Sequence, residues 1–278
     1  MTTVARTSSR RLRLDAELVR RGLARSREQA AALIAEGRVT VGGSVATKAA
    51  TGVETAAAVV VTPEPDGTID DWASRGAHKL LGALEAFPQV DPTGRRCLDA
   101  GASTGGFTDV LLRRGAREVV AADVGYGQLV WGLRTDDRVT VHDRTNVRSL
   151  TPEQIGGPVD LVVADLSFIS LRLVLDALTA CTAPDGDLLP MVKPQFEVGK
   201  DRLGAGGVVR DPELRVSAVL GVVAAARERG LTLAGATASP LPGPSGNVEY
   251  FLWLTRTSGI EGPDDEARVR RAVEDGPR

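Results

Sequence analysis

The sequence predicts an α/β protein with a doubly wound, mostly parallel seven-stranded sheet, preceded by a small α+β module. Three observations carry this expectation. From Trp72 onward, β-branched apolar runs alternate with helix-patterned stretches. A strand-like run ending at Leu98 enters the glycine-rich turn Asp99-Ala100-Gly101-Ala102-Ser103-Thr104-Gly105 and leaves it as a helix. Ahead of a proline-rich linker, Pro63-Glu64-Pro65-Asp66-Gly67, a shorter segment carries its own helix and strand signals.

In the first segment, Leu14–Gly22 has apolar residues at helical spacing and stops at glycine. Ser26 with Gln29 three positions later has capping-box spacing and opens a second helix, Ser26–Glu36, which Gly37 ends. Arg38–Val41 reads as a short strand, Gly42-Gly43 as a hairpin turn, and Val59–Val61 as the strand that closes a small sheet. In the second segment, strands are expected at Arg96–Asp99, Glu118–Asp123, Val139–His142, Val159–Ala164, Leu188–Lys193, Leu231–Ser239 and Val248–Thr255. Helices are expected at His78–Phe87, Gly106–Arg114, Leu129–Leu133, Phe168–Ala180 and Pro212–Glu228. The resulting organisation is a module over 1–62, a linker over 63–73 and a larger domain over 74–278.

Composition excludes several classes. Hydrophobic content of 42% and charged content of 25% are those of an ordinary globular protein. No apolar run reaches the roughly 18 residues of a membrane span, and the arginines near the N-terminus lead into no apolar signal segment. A cytoplasmic protein is expected, with no membrane partner. Two cysteines, Cys97 and Cys181, and two histidines at unrelated spacings make no metal site, so no metal is expected. The net charge of −2 hides an asymmetry: residues 1–48 hold ten Lys/Arg against four acids, net +6, which leaves −8 for the rest. A basic arm on an acidic body suits a polyanion partner.

The turn after the first strand of the larger domain reads D-x-G-x-x-x-G. It is neither the dinucleotide fingerprint nor a P-loop, both of which cradle phosphate. A carboxylate at Asp99 repels pyrophosphate and suits the ammonium or sulfonium of S-adenosylmethionine. Gly101 and Gly105 allow close backbone approach. Ser103 lies in the loop, and Phe107 follows it, at a helical position that suits packing more than ligand contact. Asp123 ends the next strand, 22 positions after Gly101, where an acid accepts ribose hydroxyls. Asp143 ends the strand after that and would border the adenine. The expected cofactor-binding set is therefore Asp99, Gly101, Ser103, Gly105, Phe107, Asp123, Asp143 and Asp165.

Asp165 and Lys193 each end a predicted strand, the edge at which open α/β sheets bind ligands. Lys79 lies early on a helix, and Glu249 stands at the start of the last strand. Two lysines and two carboxylates at one site can activate a ribose 2′-hydroxyl: a lysine beside a second cation gives up its proton more readily and can serve as base. The carboxylates oppose that effect, so Lys193 is either the proton acceptor or the group that polarises the oxygen. In either role, alignment of oxygen, methyl carbon and sulfur supplies much of the acceleration.

Two resemblances fit these residues. Leu12 to Val61, above all Ser26-Arg27-Glu28-Gln29-Ala30 and Gly37–Gly43, resembles the S-four-type RNA-binding domain. Arg11, Arg13, Arg20, Arg21, Arg25, Arg27 and Arg38 are its candidate phosphate contacts, giving shape-led, salt-sensitive binding. Nearly the whole chain resembles the TlyA family, whose catalytic domain is of the FtsJ-like ribose methyltransferase type, a Rossmann-like class I methyltransferase. The motifs are Ser74–Lys79, Leu98–Phe107, Ala164–Ser170, Lys193–Glu197 and Leu241–Phe251. The family's K-D-K-E tetrad falls on Lys79, Asp165, Lys193 and Glu249. The resemblance implies 2′-O-methylation of cytidine in 16S and 23S ribosomal RNA within subunits or ribosomes, and a link to capreomycin and viomycin susceptibility. Met1–Arg11 and the tail Asp265–Glu274 match its longer form. Where members carry an Arg-Ala-Trp linker, this chain reads Asp70-Asp71-Trp72. The competing expectations are a hemolysin-like membrane-active protein and a non-catalytic ribosome assembly factor. The missing membrane signals oppose the first, and the intact loop and tetrad oppose the second.

Overall fold

The computed structural model describes residues 11–24, 27–55, 57–62, 72–199, 202–243, 245–257 and 264–277. The expected N-cap Ser26, the candidate Arg25 and residues 63–71 of the expected linker lie outside these residues. The chain divides into two compact units, Met1–Asp71 and Trp72–Arg278.

In the first unit, β1 (Arg11–Arg13) leads into α1 (Leu14–Arg20), and α2 (Arg27–Ala35) follows. Leu14, Leu18, Ala30 and Ile34 bury the helices' apolar faces against Val39 and Val53. β2 (Val39–Val41) and β3 (Ser44–Val45) form the expected hairpin. Gly42 and Gly43 turn it with φ of 58° and 84°, the doubly left-handed geometry that glycine adopts without a steric cost. β4 (Gly52–Glu54) pairs with β1, and β5 (Val59–Val61) closes the sheet on β2.

The second unit opens with Trp72, whose ring lies 4.3 Å below the Arg113 guanidinium. Its elements are α3 (Ala77–Ala86), β6 (Arg96–Ala100), α4 (Gly106–Arg113), β7 (Glu118–Ala122), α5 (Trp131–Arg134), β8 (Val139–His142) and β9 (Val159–Ala164). There follow α6 (Leu175–Cys181), β10 (Thr182–Val192), α7 (Pro194–Glu197), α8 (Pro212–Arg227), β11 (Thr232–Ala238), β12 (Tyr250–Thr255) and α9 (Asp265–Glu274). The sheet order is β11-β12-β10-β9-β6-β7-β8. All its pairings are parallel except those of β12, which runs antiparallel between β10 and β11.

The strand side chains alternate between two cores, as a doubly wound sheet requires. Leu161 and Val163 face α3 and α4, whereas Val162 and Ala164 face the α6, α8 and α9 side. The C-terminal helix belongs to this second core: Val269, Ala272 and Val273 are buried in it, and Arg270 pairs with Glu213 of α8 at 2.8 Å.

The expected helix over Phe168–Ala180 is shorter in the structure. Phe168 has a left-handed φ of 64°, a single 3-10 turn spans Leu171–Leu173, and the α-helix starts at Leu175. β10 extends back to Thr182, through Pro184 and Gly186, because an irregularity in its pairing with β9 absorbs those residues.

Candidate active site

The carboxyl ends of the parallel strands collect the predicted site. Asp165 directly follows β9, and Lys193 directly follows β10. Glu249 precedes β12, and because that strand is antiparallel, its start lies at the same edge. The register pairs Val192 with Tyr250, so Lys193 and Glu249 stand side by side. Lys79 comes from the first turn of α3. Further along that helix, Gly82 lets the backbone approach the chain just beyond β11: a Cβ there would lie 2.7 Å from the Pro240 ring.

The four groups form a closed ring of alternating charge. Lys79 Nζ donates to Glu249 Oε2 at 2.5 Å and lies 3.7 Å from Asp165 Oδ2. Lys193 Nζ lies 2.6 Å from Asp165 Oδ1 and 3.9 Å from Glu249 Oε1, and it donates to Ser167 Oγ at 2.9 Å. Each ammonium reaches both carboxylates, so the cluster is neutral and its desolvation is offset. Glu249 is completely buried, whereas the Asp165 side chain keeps 23% of its exposure. Glu249 Oε1 has no hydrogen-bond donor. Room for this carboxylate comes from Gly243, where a Cβ would lie 2.6 Å from Oε1.

A cleft of about 550 Å³ adjoins the ring, with Lys193 and Glu249 in its wall. Phe168 and Phe196 line it with ring centroids 5.5 Å apart, and Phe168 is 91% exposed. An aromatic this exposed beside buried charge offers a face to a planar group.

The glycine-rich loop lies against Asp165. At Gly101, with φ of 90°, a Cβ would lie 2.7 Å from the Asp165 carbonyl oxygen. Gly105 has φ of 103° and would strike Leu133 if substituted. Asp123 joins the loop to the next one: its oxygens accept from Ser103 N at 2.9 Å and Gly125 N at 2.7 Å, which leaves each a further lone pair.

A match to the FtsJ-like methyltransferase model covers residues 72–256, which include the loop and all four ring residues. The chain belongs to the FtsJ-like methyltransferase family. This FtsJ-like chain also matches the S4 domain over residues 12–59. It is 61% identical over 271 residues to "16S/23S rRNA (cytidine-2'-O)-methyltransferase TlyA" of Mycobacterium tuberculosis, covering 97% of this chain and 100% of the relative. It is 32% identical to "Hemolysin A" of Brachyspira hyodysenteriae over 86% of this chain and 98% of that one. A solved Streptococcus thermophilus chain with hemolysin in its name superposes with a TM-score of 0.75 at 34% identity, covering 96% of both chains.

The FtsJ-like family implies S-adenosylmethionine as methyl donor, and the loop suits it. The two glycines keep the backbone bare, and Asp123 retains acceptor capacity. Asp99 and Asp143 stand differently from their sequence reading, and Phe107 takes the packing place that its helical position suited. Asp99 is not at an open mouth: it is fully buried, accepts from Thr108 Oγ1 at 2.7 Å, and burial pushes its carboxyl up to about 7. Asp143 is held by Arg134 at 2.6 Å and Gly127 N at 3.2 Å, so it braces the loop after Asp123; the guanidinium lowers its pKa. Phe107 packs against Phe251 in the core, ring centroids 6.0 Å apart, because its place in the first turn of α4 faces the sheet.

The arginines of the S4 unit divide by environment. Arg21 is mostly enclosed and donates to the Ala57 and Thr55 carbonyls as well as Glu17. Arg38 is 14% exposed and donates to the Thr62 carbonyl. Both therefore spend donors on backbone carbonyls of their own unit. Arg11, Arg13, Arg20 and Arg27 keep half or more of their side-chain surface in solvent. Glu17 orients Arg20, and Asp15 orients Arg13 and Arg27. Sequence reading left Gly243 and Ser167 without roles and gave Glu197 none; their signal is a close approach or a hydrogen bond that only the assembled strand edge creates.

Proposed function

We propose that this chain methylates the ribose 2′-hydroxyl of cytidine in 16S and 23S ribosomal RNA, acting on subunits or ribosomes in the cytoplasm. The observation that carries the reading is the closed ring of Lys79, Asp165, Lys193 and Glu249 beside an aromatic-walled cleft. The name of the Mycobacterium tuberculosis relative, which aligns with this chain almost end to end, supports the choice of acceptor.

Gly101, Ser103, Gly105 and Asp123 would hold S-adenosylmethionine, the glycines by bare backbone and Asp123 by accepting ribose hydroxyls. When bound, it supplies an electrophilic methyl carbon on a sulfonium. The acceptor nucleoside enters the cleft, with its base against Phe168 and its 2′-oxygen at Lys193. Lys193 Nζ first gives its own proton to solvent; as the neutral amine it then receives the hydroxyl proton while the oxygen attacks the methyl carbon and the sulfur leaves as a neutral thioether. Asp165, 2.6 Å away, neutralises the ammonium this creates, and Ser167 fixes its direction. Glu249 and Lys79 complete the ring and hold Asp165 in place. Arg11, Arg13, Arg20 and Arg27 of the S4 unit meet RNA phosphates.

The hemolysin names of two relatives favour a membrane-active reading. Among the described residues, no helix is long and apolar enough to cross a membrane. That reading also gives the charged ring and the glycine-rich loop no task.

The test uses purified protein, S-adenosylmethionine labelled in its methyl group, and ribosomal subunits isolated from cells lacking the gene. Label should enter ribosomal RNA as 2′-O-methylcytidine. Label found only on bases or on protein contradicts the assignment.

A further inference from the structure

Glu197 is a buried acid outside the ring, with a side chain only 2% exposed. It ends the short helix α7, directly beyond Lys193 and Phe196. Its Oε1 accepts from Leu171 N at 2.7 Å. Its Oε2 accepts from Ser170 Oγ at 2.6 Å and Arg172 Nε at 3.2 Å, and its backbone carbonyl accepts from Arg172 Nη2 at 3.1 Å. All these donors lie in the segment after β9, which also carries Asp165, Ser167 and Phe168. One carboxylate thus fastens the segment after β9 to the turn after β10.

The fastening has a strained load. Phe168 has φ of 64°, a conformation that a bulky non-glycine residue adopts only when its surroundings impose it. Its side chain is almost fully exposed, so packing does not hold it there. Two residues on, Ser170 and Leu171 are tied to Glu197. Phe196, whose ring neighbours Phe168, is the residue before Glu197. Both aromatics of the cleft wall are therefore anchored through this carboxylate.

We propose that Glu197 is a positioning residue for the acceptor nucleotide: it clasps the two strand-end segments and so sets Phe168 and Phe196 as the wall that receives the acceptor base. The function of the wall rests on the reading of the cleft given above. Glu197 touches neither the ring nor the glycine-rich loop, so its loss should affect the acceptor and leave the methyl donor alone.

The chain contains five phenylalanines, at 87, 107, 168, 196 and 251. Labelled with fluorophenylalanine, it should give five fluorine resonances, assignable by Phe168→Leu and Phe196→Leu. In Glu197→Ala, the Phe168 and Phe196 signals should shift or broaden, while those of the core residues Phe87, Phe107 and Phe251 stay in place. With ribosomal subunits as acceptor, kcat/KM should fall about ten-fold or more, with S-adenosylmethionine affinity unchanged. Glu197→Gln keeps an oxygen for Leu171 N and should show the same pattern more weakly; it is the variant to read if the alanine form does not fold. Unmoved Phe168 and Phe196 signals, or a general shift of all five, would overturn the clasp. Wild-type protein that methylates no ribosomal RNA would defeat the functional reading, while the fluorine spectra would still decide the clasp.

Discussion

Lys79 and Glu249 stand 170 residues apart in the chain and share a buried hydrogen bond of 2.5 Å. The pairing exists because β12 enters the sheet antiparallel and delivers the residue before it to the edge where the parallel strands end. Removing one partner strands a buried charge, whereas removing both does not. Glu249→Leu should therefore cost about 3–5 kcal/mol of stability. Lys79→Met combined with Glu249→Leu should recover most of that loss without restoring methyl transfer. Urea denaturation of both single variants and the double variant checks this; additive losses would refute the coupling.

Gly243 is tied to the same carboxylate. A methyl group there meets Glu249 Oε1 at 2.6 Å, so Gly243→Ala must displace the acid or the turn. The expected outcome is a loss of about 1–3 kcal/mol together with a disproportionate fall in kcat. A fully active Gly243→Ala enzyme would show that Glu249 need not hold its place.

Lys193 is assigned the proton. Lys193→Arg keeps the positive charge beside Asp165 but cannot accept a proton, since a guanidinium stays charged. Methyl transfer should fall to the level of Lys193→Ala, with S-adenosylmethionine affinity preserved. Substantial activity in the arginine form would make Lys193 a charge that polarises the oxygen, not a base.

Asp99 provides a pH signature. Its carboxyl is raised by burial to about 7, from an ordinary value near 3.8. Below about pH 4 it is protonated in both folded and unfolded chains and has no effect. Between about pH 4 and 7 the unfolded chain ionises first, so this group makes the fold progressively less stable as pH rises. Above about 7 the effect is constant. Asp99→Asn lacks the slope, so its stability relative to wild type should rise across that window by roughly 1 kcal/mol per pH unit. Denaturation of both proteins at several pH values checks it; a constant difference would contradict the burial argument.

Much of this was legible in sequence because local signals and tertiary context agree. Val139–His142 and Val159–Ala164 are apolar runs with the expected bounds, and Asp211 caps α8 directly before Pro212. Asp165 and Lys193 were placeable because each follows such a run. The shortened helix after Phe168 was not legible: the apolar spacing continues through it, and the left-handed residue is a phenylalanine, not a glycine. Phe107 follows the helix face into the core, the packing that its helical position suited. The arginine count was visible, but the neutralising partners Asp15 and Glu17 were not distinguishable from surface acids until α1 buried them.

That partition yields a prediction for RNA binding. Arg11→Ala and Arg20→Ala should weaken subunit binding and lower the slope of log K against log salt by roughly 1 for each phosphate left without its arginine. Arg21→Ala should instead destabilise the S4 unit, because its donors go to Ala57 and Thr55. Salt-dependent subunit binding, with thermal melting of each variant, separates the two effects; a normal melting curve for Arg21→Ala with a lowered salt slope would reverse the assignment.

The most direct measurement is nucleotide-resolution mapping of 2′-O-methyl groups in ribosomal RNA from cells lacking the gene, restored with either the wild-type chain or Lys193→Ala. The account predicts that 2′-O-methylcytidine sites vanish with the gene, return with wild type and stay absent with Lys193→Ala. An unchanged methylation map in the deletion, or full restoration by Lys193→Ala, would contradict it.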